Sequence, residues 1–195
     1  TDIDEVPWAK RQMWAPDIAR KGDKYYFYFP AKDKHDIFKI GVALGDSPSG
    51  PFTPDPKPIE GSYSIDPAVF NDKGKYYMYF GGLWGGQLQK YRNNIYSNGN
   101  ELRSDDDFAF GPLVAELSDD MRGFSTSPEE IIIQDENGNP LLAGDNSRRY
   151  FEGPWVHKYN EKYYRSYSTG DTHFICYAIG DTPKGPFKYA GKILD

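Results

Sequence analysis

Two acidic residues and one tryptophan stand at matching places in a repeated motif, which makes them the first candidates for chemistry. Asp66 directly precedes a proline, and Glu152 and Trp14 each lie two residues before one. Cleavage of a glycosidic bond uses one carboxylic acid to protonate the leaving oxygen and a second carboxylate on the other side of the bond. An indole can supply the apolar wall that holds a sugar ring. Two carboxylates in one cavity also push their pKa values apart, so that one can stay protonated near neutral pH.

The motif that holds these residues occurs three times. Its copies, called repeats one, two and three below, are WAPDIARKGDKYYFYF (14–29), SIDPAVFNDKGKYYMYF (64–80) and FEGPWVHKYNEKYYRSY (151–167). In each copy a proline precedes a tyrosine pair by nine residues. A short strand, a turn and a strand of alternating aromatics together predict a β-hairpin. The predicted turns lie at residues 22–23, 73–74 and 160–161.

Each hairpin continues into a longer unit. The segment GDSPSGPF (45–52) returns as GDTPKGPF (180–187), and each copy follows an apolar run that predicts a third strand. A unit of about four strands has the size of a propeller blade. The sequence therefore predicts an all-β fold in one domain over residues 1–195, with blade-like repeats at about 12–60, 62–130 and 150–193. Inner strands of a propeller surround its axis, so the residues before each proline should converge on one cavity.

Composition narrows the choice of partners. The net charge of −6 and the pI near 5.1 argue against a nucleic-acid partner, and no apolar run is long enough to cross a membrane. Cys176 is the single cysteine, so no internal disulfide is expected. No basic and apolar leader is visible, and we assign no compartment. The 16 Tyr, 12 Phe and 4 Trp suit both β-structure and sugar binding.

Each acid also has a plain structural interpretation. An Asp before a proline is a common turn element, and a Glu-Gly-Pro loop can face water. It is the repeat that favours catalysis, because it puts Asp66 and Glu152 at the same structural level. The acidic run at 105–107 is interpreted as part of a solvated, irregular insertion over residues 92–110, and residues 131–144 predict an extra hairpin turning at 137–138.

The motifs WAPD, SIDPAVF and FEGPW, each followed by a tyrosine-rich strand, resemble blades two, three and four of glycoside hydrolase family 43 in the family's order. The resemblance implies a five-bladed β-propeller of which this chain supplies about three blades. It implies an inverting glycosidase that acts on arabinose- or xylose-containing oligosaccharides and polysaccharides of plant cell walls. It implies no required cofactor and allows for a calcium ion on the propeller axis.

The resemblance also assigns roles. Glu152 matches the family's general acid, and Asp66 matches the aspartate that orients this acid and raises its pKa. Trp14 matches the tryptophan that lines the subsite for the terminal sugar. Thr172 falls where some members place a sugar-contacting threonine, and its neighbour His173 is placed near the cavity.

A loop tryptophan completes the set of expected site residues. Trp84, in the GGLWGG loop, is expected to form the wall of the leaving-group subsite, although a core position is an open alternative.

The sequence departs from the family in one respect. We find no match to the blade-one motif that carries the general base, and none to blade five, so we expect the chain to be the central part of a longer propeller. Two alternatives stay open. One is a carbohydrate-binding propeller without catalysis. The other is a related family acting on fructans, whose Arg-Asp-Pro and Glu-Cys motifs differ from Ile-Asp-Pro and Glu-Gly-Pro here.

Overall fold

The computed structural model of the chain describes residues 2–100, 103–170 and 172–195. Strands make up 46% of the fold and helix 5%, which confirms the predicted all-β class. Helical structure in those ranges is limited to the 3-10 turns Ile3–Glu5, Trp84–Gly86 and Leu88–Lys90. None of it is long and apolar enough to span a membrane.

Repeat one lies in a five-stranded sheet. Its strands are β1 (Ala9–Arg11), β2 (Asp17–Lys21), β3 (Lys24–Asp33), β4 (Phe38–Gly45) and β5 (Thr53–Pro54). The long strand β3 pairs with β1 near one end and with β2 near the other, and the sheet continues through β4 to β5. The hairpin β2–β3 is the one that the first motif predicts.

Repeat two lies in a four-stranded sheet with the order β11-β10-β7-β6 and a separate small hairpin, β8–β9. The strands are β6 (Ala68–Asp72), β7 (Lys75–Phe80), β8 (Tyr91–Arg92), β9 (Ile95–Tyr96), β10 (Leu113–Glu116) and β11 (Glu129–Glu130). The expectation of a wholly irregular insertion was wrong, because β8–β9 lies partly within it. Its turn residues Asn93 and Asn94 have φ of 49° and 63°, the left-handed values that a tight hairpin turn needs.

Repeat three lies in a five-stranded sheet with the order β12-β16-β15-β14-β13. The strands are β12 (Ile133–Gln134), β13 (Tyr150–Tyr159), β14 (Lys162–Thr169), β15 (Ile175–Gly180) and β16 (Phe187–Leu194). The predicted turn at 137–138 is confirmed, because Asp135 N donates to Asn139 O at 2.8 Å. However, only one arm of that hairpin is a strand, and β12 pairs in parallel with β16.

All three predicted hairpin turns are confirmed by the strand register. The residues that close them pair as Lys21 with Lys24, Asp72 with Lys75, and Tyr159 with Lys162. The first strands of the three hairpins lie side by side, since β2 packs against β6 and β6 packs against β13. This brings the starts of the three motifs together. The exact bounds of the blade-like repeats stay a prediction.

The repeated segments 45–52 and 180–187, each with a Gly-Pro-Phe turn, are explained by side-chain packing. The Phe52 ring lies on Gly45, where an added Cβ would be 2.8 Å from the ring, and the Phe187 ring lies on Gly180 at 3.0 Å. Each ring therefore requires a glycine at the end of the preceding strand. The first turn leads into β5 at the edge of its sheet, and the second leads into β16, which lies between β15 and β12.

Candidate active site

Asp66 occupies an unusual backbone position just before β6. Its φ of 56° lies in the left-handed region, which non-glycine residues seldom adopt. Such a conformation persists only where the surroundings hold it in place, and functional sites are where these outliers cluster. One such constraint is nearby, since Gly81 N donates to Ile65 O at 2.7 Å.

Glu152 is presented by an irregular stretch of β13. The pairing of β13 with β14 shifts register on both sides of Glu152, and Gly153 has a φ of 66°. A bulge of this kind bends a strand and redirects a side chain. Glu152 is consequently half-buried and lies at the end of its hairpin, at the same level as Asp66.

The two carboxylates meet between repeats two and three. Asp66 Oδ2 accepts a hydrogen bond from Gly153 N at 3.1 Å, so the carboxylate reaches the residue next to Glu152. Burial, followed by the negative charge of Glu152, raises the pKa of Asp66 to about 6. Burial also raises the pKa of Glu152, while the nearby His173 ring lowers it. Such a pair can hold a proton at a pH where an exposed carboxylic acid has lost its own.

The lack of a side chain at Gly82 allows repeats two and three to approach each other closely beside Glu152. A Cβ added to Gly82 would lie 2.7 Å from Ile65 and 3.1 Å from the Cβ of Glu152. Leu83 N donates to Phe151 O at 3.0 Å, and the Tyr150 hydroxyl donates to Gly81 O. The loop that follows β7 is thus held directly against the strand that carries Glu152.

Both tryptophans lie at this loop. Trp14 is 37% exposed and its ring packs at 4.7 Å against Phe38, while Trp84 is 49% exposed at the loop tip. The core alternative for Trp84 is therefore wrong. Gly85 comes close to Trp14, since an added Cβ would lie 3.4 Å from its ring. One aromatic side chain from repeat one and one from repeat two thus flank the same opening.

Thr172 and His173 approach from repeat three. The His173 ring stands edge-on to Phe151 at 5.1 Å and acts electrostatically on Glu152, so it lies beside the acid. Thr172 is exposed, but its hydroxyl already exchanges a hydrogen bond with Thr169 at 2.8 Å and donates to Asn146 O at 3.2 Å. The structure brings His173 to the pair, and the role of each residue in binding stays a prediction.

The sequence did not identify three residues that border the site. Tyr150 binds the loop of repeat two and lies near both carboxylates. Arg149 and Gln89 line a cleft beside Trp84. The first two stand just before Glu152 in RRYFEG, so closeness to the acid was an available signal for them. No comparable signal exists for Gln89, which lies in the 3-10 turn Leu88–Lys90, outside the three motifs.

Calcium prefers six to eight oxygen ligands, usually with several carboxylates. Within residues 2–100, 103–170 and 172–195, no three Asp, Glu, His or Cys side chains come together as a ligand set. Asp107, in the acidic run, accepts from Ser104 N and Oγ. These residues do not form a calcium cage among themselves, and the ion on the axis stays a prediction.

Comparison with known proteins agrees with the motifs. The family model described as Glycosyl hydrolases family 43 matches residues 1–193. A xylosidase/arabinosidase from Bacteroides ovatus is 57% identical over 192 residues, covering 98% of this chain and 59% of the relative. Xylosidase/arabinosidase 43A from Humicola insolens is 59% identical over 201 residues, covering 99% and 62%. The chain thus spans about three fifths of the length of these curated relatives.

Solved structures match along nearly the whole chain. One is CoXyl43, a GH43 beta-xylosidase/alpha-arabinofuranosidase from a compost microbial metagenome, in complex with xylotriose and in calcium-free form. Its TM-score is 0.96 at 60% identity, over 99% of this chain and 60% of that one. The GH43_1 enzyme from Xanthomonas citri, complexed with xylose, has a TM-score of 0.97 at 54% identity, over 99% and 59%. The resemblance in the motifs is confirmed, and the chain belongs to glycoside hydrolase family 43.

Proposed function

We propose that the whole protein carrying this chain is a glycoside hydrolase that cleaves arabinose- or xylose-containing oligosaccharides with inversion. One observation supports this most: the hydrogen bond from Gly153 N to Asp66, which brings the Asp66 carboxylate close to Glu152. Family membership supports the reaction class. The names of the relatives, and the xylotriose bound to CoXyl43, support a plant-cell-wall type of substrate.

The same proposal includes the architecture. Three successive sheets whose first hairpin strands are neighbours fit three blades around an axis, each blade presenting its motif to the centre. A five-bladed propeller needs two more blades, and the relatives are long enough to hold them. On this basis residues 1–195 supply about three of five blades.

In this mechanism Glu152 gives its proton to the glycosidic oxygen as the bond to the anomeric carbon breaks. The leaving sugar departs as an alcohol. Water attacks the opposite face of the ring, a general base accepts its proton, and the configuration inverts. Asp66 keeps the acid oriented, and repulsion between the two carboxylates keeps one proton on the pair. The base is the part that this sequence does not identify.

Substrate contacts follow from the placement of the remaining residues. Trp14 forms the wall for the terminal sugar and Trp84 forms the wall for the leaving group, since both indoles are partly exposed at the loop that contacts the strand of Glu152. His173 is close enough to hydrogen-bond a sugar near the acid. Thr172 is proposed to contact the sugar beside His173, and its hydroxyl also holds the turn that carries His173 through Thr169 and Asn146.

The test is a leaving-group comparison on Glu152→Gln in the whole protein. With xylobiose, whose leaving group needs a proton, kcat/KM should fall by on the order of 10²–10⁴-fold. With an activated dinitrophenyl xyloside, which needs little acid assistance, the fall should be much smaller. Glu60→Gln, on an exposed loop, is the matched control. Wild-type rates on both substrates in Glu152→Gln would remove it from the role of acid.

A carbohydrate-binding protein without catalysis is the second candidate, because the exposed indoles of Trp14 and Trp84 could hold a sugar whether or not a bond is cleaved. The two candidates differ in one measurement. Xylotriose incubated with the whole protein should release xylose, detected by chromatography. Binding of xylotriose by calorimetry without any release over a day would favour the second candidate.

A further inference from the structure

The loop that follows β7, residues 81–86, is bound by two buried hydroxyl groups that stand at matching places before the two acids. Ser64 lies two residues before Asp66, and Tyr150 lies two residues before Glu152. Ser64 is fully buried and Tyr150 is 1% exposed, so both side chains reach the loop from inside the protein. Each candidate acid is thus preceded by a hydroxyl that binds the same loop.

Ser64 binds the loop on the side of Asp66. Its hydroxyl accepts a hydrogen bond from Gly82 N at 2.9 Å and donates to Gly86 O at 2.6 Å. One side chain therefore joins the beginning and the end of the loop and determines its shape. The backbone of Ser64 has a φ of 64°, a strained value that persists only where surrounding contacts hold it.

Tyr150 binds the loop on the side of Glu152. Its hydroxyl donates to Gly81 O, and the next residue of the strand, Phe151, accepts from Leu83 N at 3.0 Å. Burial raises the pKa of Tyr150 well above its usual range. The hydroxyl therefore keeps its proton and remains a donor at every pH at which the two carboxylates titrate.

Gly81 connects the two acids through its own peptide groups. Its N–H donates to the oxygen of Ile65, the residue before Asp66, at 2.7 Å, and its carbonyl oxygen accepts from Tyr150. Its φ of 120° lies in the region that favours glycine. A single residue thus sets the spacing between the backbone that carries Asp66 and the backbone that carries Glu152.

The separation of the two carboxyl groups affects both their titration and the transfer of a proton. Two like charges that share a site raise the higher pKa of the pair, and this effect weakens as the groups move apart. Proton donation also needs the acid within hydrogen-bond reach of the leaving oxygen. A displacement of about 1 Å can lower the rate on the order of 100-fold.

We propose that Ser64 and Tyr150 are positioning residues for the pair Asp66 and Glu152, and that they act through the loop 81–86 rather than on the substrate. This inference rests on the proposed function. Ser64 fixes the shape of the loop, and Tyr150 fixes the loop against the strand that carries Glu152. The result is a constant separation between the two carboxyl groups.

The test variants are Ser64→Ala and Tyr150→Phe in the whole protein, because each removes one hydroxyl and keeps the rest of the side chain. With xylobiose, kcat should fall about tenfold in each while KM stays within about twofold, since no substrate contact is removed. With dinitrophenyl xyloside, which needs little acid assistance, the fall should be smaller. The alkaline arm of the kcat/KM profile should also move to lower pH, because a looser pair holds its shared proton less tightly.

Two control variants remove the same hydroxyl groups elsewhere in the chain. Ser62→Ala changes a serine that is 2% exposed and accepts from Ile40 N at 3.0 Å. Tyr28→Phe changes a fully buried tyrosine whose hydroxyl donates to Met121 O at 2.8 Å. All four variants should lose a similar amount of thermal stability, whereas only the two test variants should change kcat and the pH profile.

The negative results have different meanings. If wild-type protein cleaves xylobiose and the test variants match their controls in kcat and in pH profile, the positioning role is wrong and the glycosidase proposal stands. An equal loss on both substrates without a shift of the profile also contradicts the role, because such damage does not act through the acid. If wild-type protein cleaves neither substrate, the proposed function fails and this inference fails with it.

Discussion

Asp17 of repeat one and Asp66 of repeat two form a natural comparison, because each stands beside the proline of its motif. Each carboxylate also reaches across to the next repeat: Asp17 Oδ2 accepts from Val69 N at 2.7 Å, and Asp66 Oδ2 accepts from Gly153 N at 3.1 Å. Burial raises the pKa of both. The same kind of bond thus joins repeat one to two and repeat two to three.

The two acids differ in the groups that surround them. Asp66 has Glu152 beside it, and the negative charge of Glu152 adds to the effect of burial on its pKa. For Asp17, burial is opposed only by backbone hydrogen bonds. The comparison teaches that the bond between repeats is structural in origin. A second carboxylate in the next repeat is what turns such a bond into a candidate for acid catalysis.

The largest expected effect is on activity. Asp66→Asn in the whole protein should lower kcat/KM for xylobiose by on the order of 100-fold, because it removes the charge that tunes the acid. Asp17→Asn should leave kcat/KM within about twofold, since an asparagine oxygen can still accept from Val69 N. Steady-state kinetics of the two variants side by side checks this. Equal losses of kcat/KM in the two variants would mean that Asp66 has no catalytic role that Asp17 lacks.

A smaller effect is expected on stability. Asp17→Ala leaves the Val69 N–H without its acceptor at the boundary between two repeats. The free energy of unfolding should fall by about 1–3 kcal/mol, measured by urea denaturation, while Asp17→Asn should recover most of the loss. A Val69 N–H that is satisfied by water would instead leave Asp17→Ala as stable as wild type.

The smallest effect is on the titration of Asp66. Glu152→Gln removes the neighbouring negative charge, so the pKa of Asp66 should move down from about 6, while burial keeps it above the usual range. The folded-state pKa exceeds the unfolded value of about 3.9, so this acid favours the fold at low pH. Its contribution to the free energy of unfolding is lost as the pH rises through about 4 to 6. Glu152→Gln should narrow this pH range. Carboxyl ¹³C NMR measures the pKa directly, and an unchanged midpoint contradicts the coupling.

The hairpins were predictable because their signals are local. Alternating tyrosines and two-residue turns determine which residues pair within a repeat, and the register agrees at Lys21–Lys24 and its two counterparts. The convergence of Asp66 on Gly153 could be inferred only from the repeat, since 87 residues separate them.

Other features have no local signal. Arg165, in the tyrosine-rich KYYRSY, is fully buried between the Tyr79 and Phe187 rings at 4.6 Å, although arginine is seldom fully buried without a charged partner. Burial lowers its pKa to about 10. The orientation of Gln89 similarly depends on a carbonyl in a turn whose geometry the sequence does not reveal.

The bare backbone at Gly82 has a practical meaning for protein engineering. Any side chain there would collide with Ile65 and push on the stem of Glu152. Mutant libraries aimed at new sugars should therefore leave this glycine alone and vary positions farther along the loop. Substitutions at Gly82 would instead displace Glu152 from its position beside Asp66.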